Sequence, residues 1–238
     1  MRHARWPTLL LLLTLFASAG AWSSDKAEID PRLPDDLPEG WYARIDTSMG
    51  RIVAQLLPEQ APQAVAQFVA LAQGALERRD PVTGDLLEGP YYDGTSIYRT
   101  EAGILFEAGD SSSTGRAGPP LWVASSEGSG PISHRRAGRL GLNLTPGRGA
   151  SPYSFFVTAS AQPQLTGLYP CFGAVVSGRD VVLRISEVKT RGDGRPVEPL
   201  LIRKIRIFAL GDPPPLQEPL SYQAKPKRLA PRQRPVED

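Results

Sequence analysis

The chain of 238 residues is 41% hydrophobic and 22% charged, a composition typical of a globular protein with one sizeable core. Its formal net charge of +2 at pH 7 gives no reason to expect a nucleic-acid or membrane-surface partner. A single cysteine, Cys171, rules out an intramolecular disulfide, and two histidines argue against a histidine-based metal site or catalytic triad. We expect Cys171 to be a buried strand residue, because Pro170 and Phe172 beside it are apolar.

Residues 1–21 are typical of an export signal. Arg2 and Arg5 give a basic start, residues 9–16 form an apolar run, and residues 19–21 are a small-residue cleavage site. The run is shorter than the roughly 20 apolar residues that span a bilayer, so we expect cleavage after Ala21 rather than an uncleaved anchor. Cleavage lowers the 27 basic side chains to 25, which equals the number of acidic ones. We expect an exported protein without membrane insertion, periplasmic if the source is a Gram-negative bacterium.

Residues 22–40 have the composition of a linker, with three prolines, several acids and no periodic apolar pattern. A β-hairpin is predicted next. Trp41, Ala43 and Ile45 alternate with more polar residues, residues 48–50 supply a turn, and residues 52–57 are apolar again.

An amphipathic helix is predicted from Pro62 to the residue before Gly74. Proline suits the first turn of a helix, where its missing N–H would have no partner in any case. Apolar residues then recur at helical spacing, at Val65, Phe68, Val69 and Ala72.

The rest of the chain alternates loops with short strands. Residues 77–94 and 110–131 are predicted loops, and strands are predicted at residues 95–99, 104–106, 139–144, 154–158, 171–176 and 200–208. Many short strands with one or two helices predict a mainly β barrel or sandwich. Residues 211–238 are rich in proline and poor in apolar side chains, so we expect a disordered tail that is dispensable for folding.

A series of short motifs runs through residues 41–210. In chain order they are Thr47-Ser48-Met49-Gly50, Pro62-x-x-Val65-x-x-Phe68-Val69, Tyr92-Asp93-Gly94, Arg99, Gly109-Asp110, Ser154-Phe155-Phe156, Leu165-x-Gly167, Phe172-Gly173-x-Val175-x-x-Gly178 and Ile205-x-Ile207. Each motif is weak alone, but their order and spacing together are specific. The chain resembles the cyclophilins, which are peptidyl-prolyl cis-trans isomerases.

The resemblance implies a closed eight-stranded antiparallel β-barrel capped by two α-helices, with an outer groove that binds proline-containing polypeptides. It implies no cofactor and no metal, and we expect a monomer. The family's reaction is rotation about an X-Pro amide bond, which has a barrier of about 18–20 kcal/mol. A catalyst must stabilise the twisted amide, in which the proline nitrogen regains its lone pair.

Arg99 matches the family's catalytic arginine, and Phe156 matches a residue of its proline pocket. Ile104, Leu105 and Leu165 match other positions of that pocket. Without the resemblance, a surface charge is the simpler interpretation of Arg99, and a place in the core is the simpler interpretation of the apolar residues.

The sequence departs from the family at the rim of the groove. Tyr98 stands where the family has histidine, Glu107 where it has glutamine, and Asn143, Ser154 and Tyr169 occupy further rim positions. We expect the last four of these residues to contact substrate. Glu107 either competes with the substrate for the donors of Arg99 or holds the guanidinium in its working orientation.

Three functions therefore remain open. The first is an active isomerase that assists the folding of exported proteins. The second is a binding module that has lost catalysis and holds proline-containing segments or a partner protein. The third is a structural barrel without a peptide site.

Overall fold

The computed structural model describes residues 30–31, 33–76, 78–79, 86–112, 133–145 and 149–220. The predicted export signal, residues 22–29 of the predicted linker, most of the predicted loop at 110–131, and residues 221–238 lie outside the described residues.

The elements are β1 Gly40–Thr47, β2 Gly50–Leu56, α1 Pro62–Gln73, β3 Arg78–Arg79, β4 Leu86–Leu87, β5 Ser96–Glu101, β6 Leu105–Ala108, β7 Arg139–Thr145, β8 Gly149–Thr158, a 3₁₀ turn Pro163–Leu165, β9 Cys171–Ser177, α2 Arg179–Ser186 and β10 Leu200–Leu210. Eight of the strands are antiparallel and close into a barrel, as predicted. Their order around the barrel is β1-β10-β5-β6-β8-β7-β9-β2, and the short strands β3 and β4 pair with each other.

The predicted first helix is confirmed as α1, which closes one end of the barrel. It begins at Pro62 and ends before Gly74, whose left-handed φ of 72° lets the chain turn back. Phe68 of α1 packs against the rings of Tyr92, Phe155 and Phe172, with ring centroids 5.0 to 5.6 Å apart. These contacts hold β8 from the inside of the barrel. Phe155 points into the core, so the next residue, Phe156, points to the outer face.

The second helix, α2, has only eight residues and was not located in the sequence. Its apolar residues Val181, Val182 and Ile185 pack into the barrel core. It starts after Gly178, which has a φ of 86° and lies so close to β2 that a Cβ would sit 2.3 Å from the carbonyl oxygen of Arg51. Among the described residues, no helix has the length and apolar character needed to cross a membrane.

The free thiol of Cys171 is buried at the start of β9, as predicted. Burial raises the pKa of this thiol to about 11, so the thiolate that would react as a nucleophile is not formed near neutral pH.

Both segments that flank the barrel make contacts with it. Leu33, in the predicted linker, is buried in a small cluster on the outer face of the barrel with Tyr42 and Phe208. At the other end, the indole N–H of Trp41 donates to the carbonyl oxygen of Pro214 at 2.9 Å, and Leu216 packs against the core. Residues 211–220 thus make contacts with the barrel, and the disorder of the tail stays a prediction.

We predict that truncation after Leu210 destabilises the protein, contrary to the expectation from composition. The truncation removes the contact of Leu216 and the acceptor of the Trp41 N–H. It also removes the carbonyl of Leu220, which accepts a 3.1 Å hydrogen bond from the buried Gln67 side chain. Together these losses should lower the free energy of unfolding by about 2 kcal/mol, which corresponds to a fall of about 4–8 °C in the melting temperature.

Thermal unfolding of two truncated proteins measures this effect. The control ends at Leu220, keeps all three contacts and should melt like the full-length chain. Equal melting temperatures for the two truncations would show that residues 211–220 add nothing to stability.

Candidate active site

Arg99 lies on the outer face of β5, directly opposite Glu107 of β6. Its Nη1 donates to Oε1 of Glu107 at 2.5 Å, and its Nη2 lies 3.5 Å from Oε2 of Glu101. The side chain of Arg99 is 46% exposed and that of Glu107 is 16% exposed. The hydrogen bond to Glu107 raises the pKa of Arg99 above its ordinary value, so the guanidinium is a permanent cation at the surface of the barrel.

The second carboxylate oxygen of Glu107 is held by residues behind it. The hydroxyl of Tyr98 donates to Oε2 of Glu107 at 3.0 Å, and Nδ2 of Asn143 lies 3.3 Å from the same atom. Ser154 completes the group, since its Oγ is 2.6 Å from both the Tyr98 hydroxyl and Nδ2 of Asn143. Arg99 therefore pairs with a carboxylate that is itself fixed in place.

Tyr98 reaches this position because β5 contains an irregularity. The pairing with β6 shifts register between Ile97 and Arg99, which places Tyr98 in a β-bulge. Burial first, and then the charge of Glu107, hold the pKa of the Tyr98 phenol well above its ordinary value. The phenol is therefore protonated and acts as a hydrogen-bond donor to Glu107.

Phe156 forms the apolar part of the site, on β8. It lies opposite Glu107 of β6 on one side and opposite Gly141 of β7 on the other. Arg99, Glu107, Phe156 and Gly141 thus form one row across four neighbouring strands. The Phe156 ring meets the Tyr169 ring edge-on, with centroids 5.5 Å apart.

Gly141 is a site residue that was missed in the sequence. A Cβ at this position would lie 2.2 Å from Cζ of Phe156, so only glycine leaves room for the ring where it now stands. The feature that identifies Gly141 as a site residue is the pairing of β7 with β8, which places it opposite Phe156. That register is not readable from a single sequence.

His134 is a second missed residue. Its ring is fully buried, with its centroid 5.4 Å from that of Phe156, and neither ring nitrogen has a hydrogen-bond partner among the described residues. Burial first, and then the charge of Arg139, lower the pKa of His134 to about 4. The imidazole is therefore neutral near pH 7 and acts as a packing partner of Phe156.

The structure brings some of the predicted site residues together and leaves others at the margin. Glu107, Asn143 and Ser154 join Arg99 in one hydrogen-bonded group, and Tyr169 contacts Phe156. The others are Leu105, which is buried on β6, Leu165, which ends the 3₁₀ turn, and Ile104, which precedes β6. Their roles in substrate binding stay predictions.

The barrel and its site can be compared with known proteins. The family model described as "Cyclophilin type peptidyl-prolyl cis-trans isomerase/CLD" matches residues 42–207, well over half of the chain. The chain belongs to this family.

Relatives of this cyclophilin carry the same enzyme name. It is 33% identical over 168 residues to probable peptidyl-prolyl cis-trans isomerase A of Mycobacterium bovis, which covers 69% of this chain and 91% of that protein. It is also 33% identical over 163 residues to peptidyl-prolyl cis-trans isomerase ppi1 of Schizosaccharomyces pombe, with 67% and 94% covered. Against peptidyl-prolyl cis-trans isomerase-like 2 of Gibberella zeae it is 32% identical over 169 residues, and it spans only 26% of that protein.

A solved structure supports the fold. The crystal structure of a cyclophilin-type isomerase of Cryptosporidium parvum superposes with a TM-score of 0.57, at 24% identity, and covers 74% of this chain and 100% of that one.

Four departures of this cyclophilin from the family pattern belong to a single network. Tyr98, Glu107, Asn143 and Ser154 looked in the sequence like separate losses of rim groups, but they bond to one another behind Arg99. The protons can be placed in one consistent direction, from Asn143 to Ser154, from Ser154 to Tyr98, and from Tyr98 to Glu107. These four residues therefore form one hydrogen-bonded group, which fixes the position of Glu107.

We predict that Gly141→Ala impairs activity through the Phe156 ring. The new methyl group requires that ring to move by about 1 Å or more to reach an ordinary contact distance. A displacement of this size should lower kcat/KM for an X-Pro peptide by roughly 10- to 100-fold. The added crowding should also cost about 1–3 kcal/mol of stability.

A double-mutant cycle with Phe156→Ala tests the cause of the loss of stability. Without the ring, Gly141→Ala should have almost no effect on the free energy of unfolding. A cost that is the same in both backgrounds would show that the substitution acts on the β7 backbone and not on Phe156.

Proposed function

We propose that this cyclophilin is an exported peptidyl-prolyl isomerase that assists the folding of exported proteins, and that Arg99 is its catalytic residue. The observation that carries the proposal is the row of Arg99, Glu107 and Phe156 on the outer face of three adjacent strands. Strands in a sheet are about 4.8 Å apart, so the backbones of Arg99 and Phe156 are separated by about 10 Å. A proline ring beside Phe156 lies within reach of the guanidinium.

In the proposed mechanism, the proline ring packs beside Phe156 while Arg99 faces the amide bond. As the bond twists, the proline nitrogen loses conjugation and becomes a hydrogen-bond acceptor. The guanidinium has five N–H groups in a fixed plane, and its two carboxylate contacts leave others for the substrate. A donor that acts only on the twisted amide lowers the barrier without tightening the binding of the planar ground state.

Proline-containing peptides are the proposed ligands. A structure of the Cryptosporidium parvum relative was determined in the presence of the dipeptide Ala-Pro. We extend that ligand class to this chain because its own barrel carries Arg99 and Phe156 at the matching motifs.

Export is proposed from residues 1–21, which combine a basic start, a short apolar run and a small-residue cleavage site. Proline isomerisation is a slow step in folding, and its catalysis needs no energy source, which suits a compartment outside the cytoplasm. N-terminal sequencing of the exported protein should give Trp22 as the first residue. Recovery of the chain with Met1 intact in a membrane fraction would contradict cleavage after Ala21 and favour an uncleaved anchor.

A binding module without catalysis is the second candidate, and one observation favours it. Glu101 and Glu107 both contact Arg99, so the three side chains together carry a charge of −1. The positive potential at the twisted amide is therefore reduced, which weakens catalysis. Apolar binding of a proline ring at Phe156 does not depend on this charge and is unaffected.

We predict that Arg99→Ala lowers kcat/KM for a short X-Pro peptide by about 100-fold, because removal of one positioned hydrogen-bond donor typically costs about 10²–10³ in rate. The affinity for a proline peptide, measured by titration, should weaken by only a few-fold. Arg203→Ala is the control, because Arg203 is an exposed arginine on β10 away from this row.

The outcomes separate the two candidates. Full activity in Arg99→Ala would remove Arg99 from the mechanism. A parent protein that binds the peptide but does not accelerate isomerisation would favour the binding module.

A further inference from the structure

One edge of β5 is only partly covered by the neighbouring strand of the barrel. β10 pairs with β5 at two positions only, Leu200 with Ile97 and Leu201 with Ser96. Next to Arg99, the edge of β5 is covered by a loop residue and not by β10: the N–H of Thr100 donates to the carbonyl oxygen of Gly194 at 2.9 Å. A turn between α2 and β10 therefore closes the edge of β5 beside Arg99.

This turn is held by its own hydrogen bonds. The N–H of Gly194 donates to the carbonyl oxygen of Arg191 at 3.0 Å. The N–H of Arg191 in turn donates to the carbonyl oxygen of Arg195 at 2.8 Å. Below the tip, Thr190 and Pro196 form an isolated antiparallel bridge. The tip of the turn thus has a defined conformation despite its exposure to solvent.

Gly194 faces the side chain of Arg99. Its φ is +82°, in the left-handed region that favours glycine. A Cβ on Gly194 would lie 3.3 Å from Cγ and 3.5 Å from Nε of Arg99, and 3.6 Å from the carbonyl oxygen of Thr100. The first of these distances is shorter than an ordinary carbon–carbon contact, so an added methyl group would push on the aliphatic stem of Arg99.

We propose that Gly194 is a positioning residue for Arg99: the turn supports the stem of the arginine, while Glu107 fixes the end of the guanidinium. Both supports are needed because an arginine side chain has several rotatable bonds and a single ion pair does not define all of them. The assignment rests on the proposed role of Arg99 as the catalytic residue.

Because Arg99 is exposed, a substitution at Gly194 should affect activity more than stability. Since nearly half of the Arg99 side chain is in solvent, the stem can swing away from a new methyl group at little cost in stability. The swing moves the guanidinium off its alignment with Glu107 and with the substrate. Misplacement of a reacting group by about 1 Å can cost about 100-fold in rate, so a smaller shift should cost roughly 10-fold.

The test compares Gly194→Ala with Gly94→Ala. Gly94 has nearly the same backbone strain, with a φ of +78°, but nothing lies within 4 Å of the position of its Cβ. The two variants should therefore lose similar amounts of stability. Only Gly194→Ala should lower kcat, by roughly 10-fold with KM unchanged, because the interaction acts in the transition state.

An Arg99→Ala background isolates the contact. There the Gly194→Ala substitution should leave the residual activity unchanged, since no stem remains to be displaced. A further drop in that background, or equal activities of Gly194→Ala and Gly94→Ala in the parent, would overturn the proposal.

The NMR signal of the Arg99 Nε–H group gives a readout that does not depend on turnover. Gly194→Ala should shift this signal strongly, whereas Gly94→Ala should leave it in place. If the parent protein is inactive, the proposed function fails while this signal still decides whether Gly194 positions Arg99. An unmoved signal in Gly194→Ala overturns the proposal in either case.

Discussion

The ion pair between Arg99 and Glu107 joins two neighbouring strands of the barrel at the centre of the site. It depends on the register of β5 with β6, which closure of the barrel fixes, and on the bulge that turns Tyr98 towards Glu107. Because Tyr98 and Asn143 hold the far oxygen of the carboxylate, Glu107 cannot swing away when a substrate arrives. Any ligand of Arg99 must share the guanidinium with this carboxylate.

This arrangement explains how the chain can keep the family's arginine and phenylalanine while its rim differs. Phe156 is held from three sides, by the rings of His134 and Tyr169 and by the bare backbone of Gly141. The apolar seat is thus independent of the polar network. In the proposed mechanism, binding of the proline ring and stabilisation of the twisted amide are carried by separate groups, so one can be weakened without loss of the other.

Much of the fold was predictable because its signals are local. The first hairpin and α1 have clear periods of two and 3.6 residues, and motif order supplied the family, the barrel, Arg99 and Phe156. The network could not be predicted, since Tyr98 and Ser154 are 56 residues apart in the chain and meet only through the register of three strands. Composition also gave no sign of the contacts that residues 211–220 make, because Leu216 packs against the core despite the four prolines in this segment.

The effect of Glu107→Gln on kcat/KM tests the account most directly. Glutamine keeps the shape and a carbonyl acceptor but removes the charge that offsets Arg99, so we predict a rise of about two- to fivefold, since pairs this exposed are worth about 0–1 kcal/mol. Glu101→Gln is the control, with a smaller rise, because its contact is longer at 3.5 Å. A fall in kcat/KM of folded Glu107→Gln would show that the negative charge of Glu107, beyond its hydrogen bond to Arg99, supports catalysis, and would contradict this account.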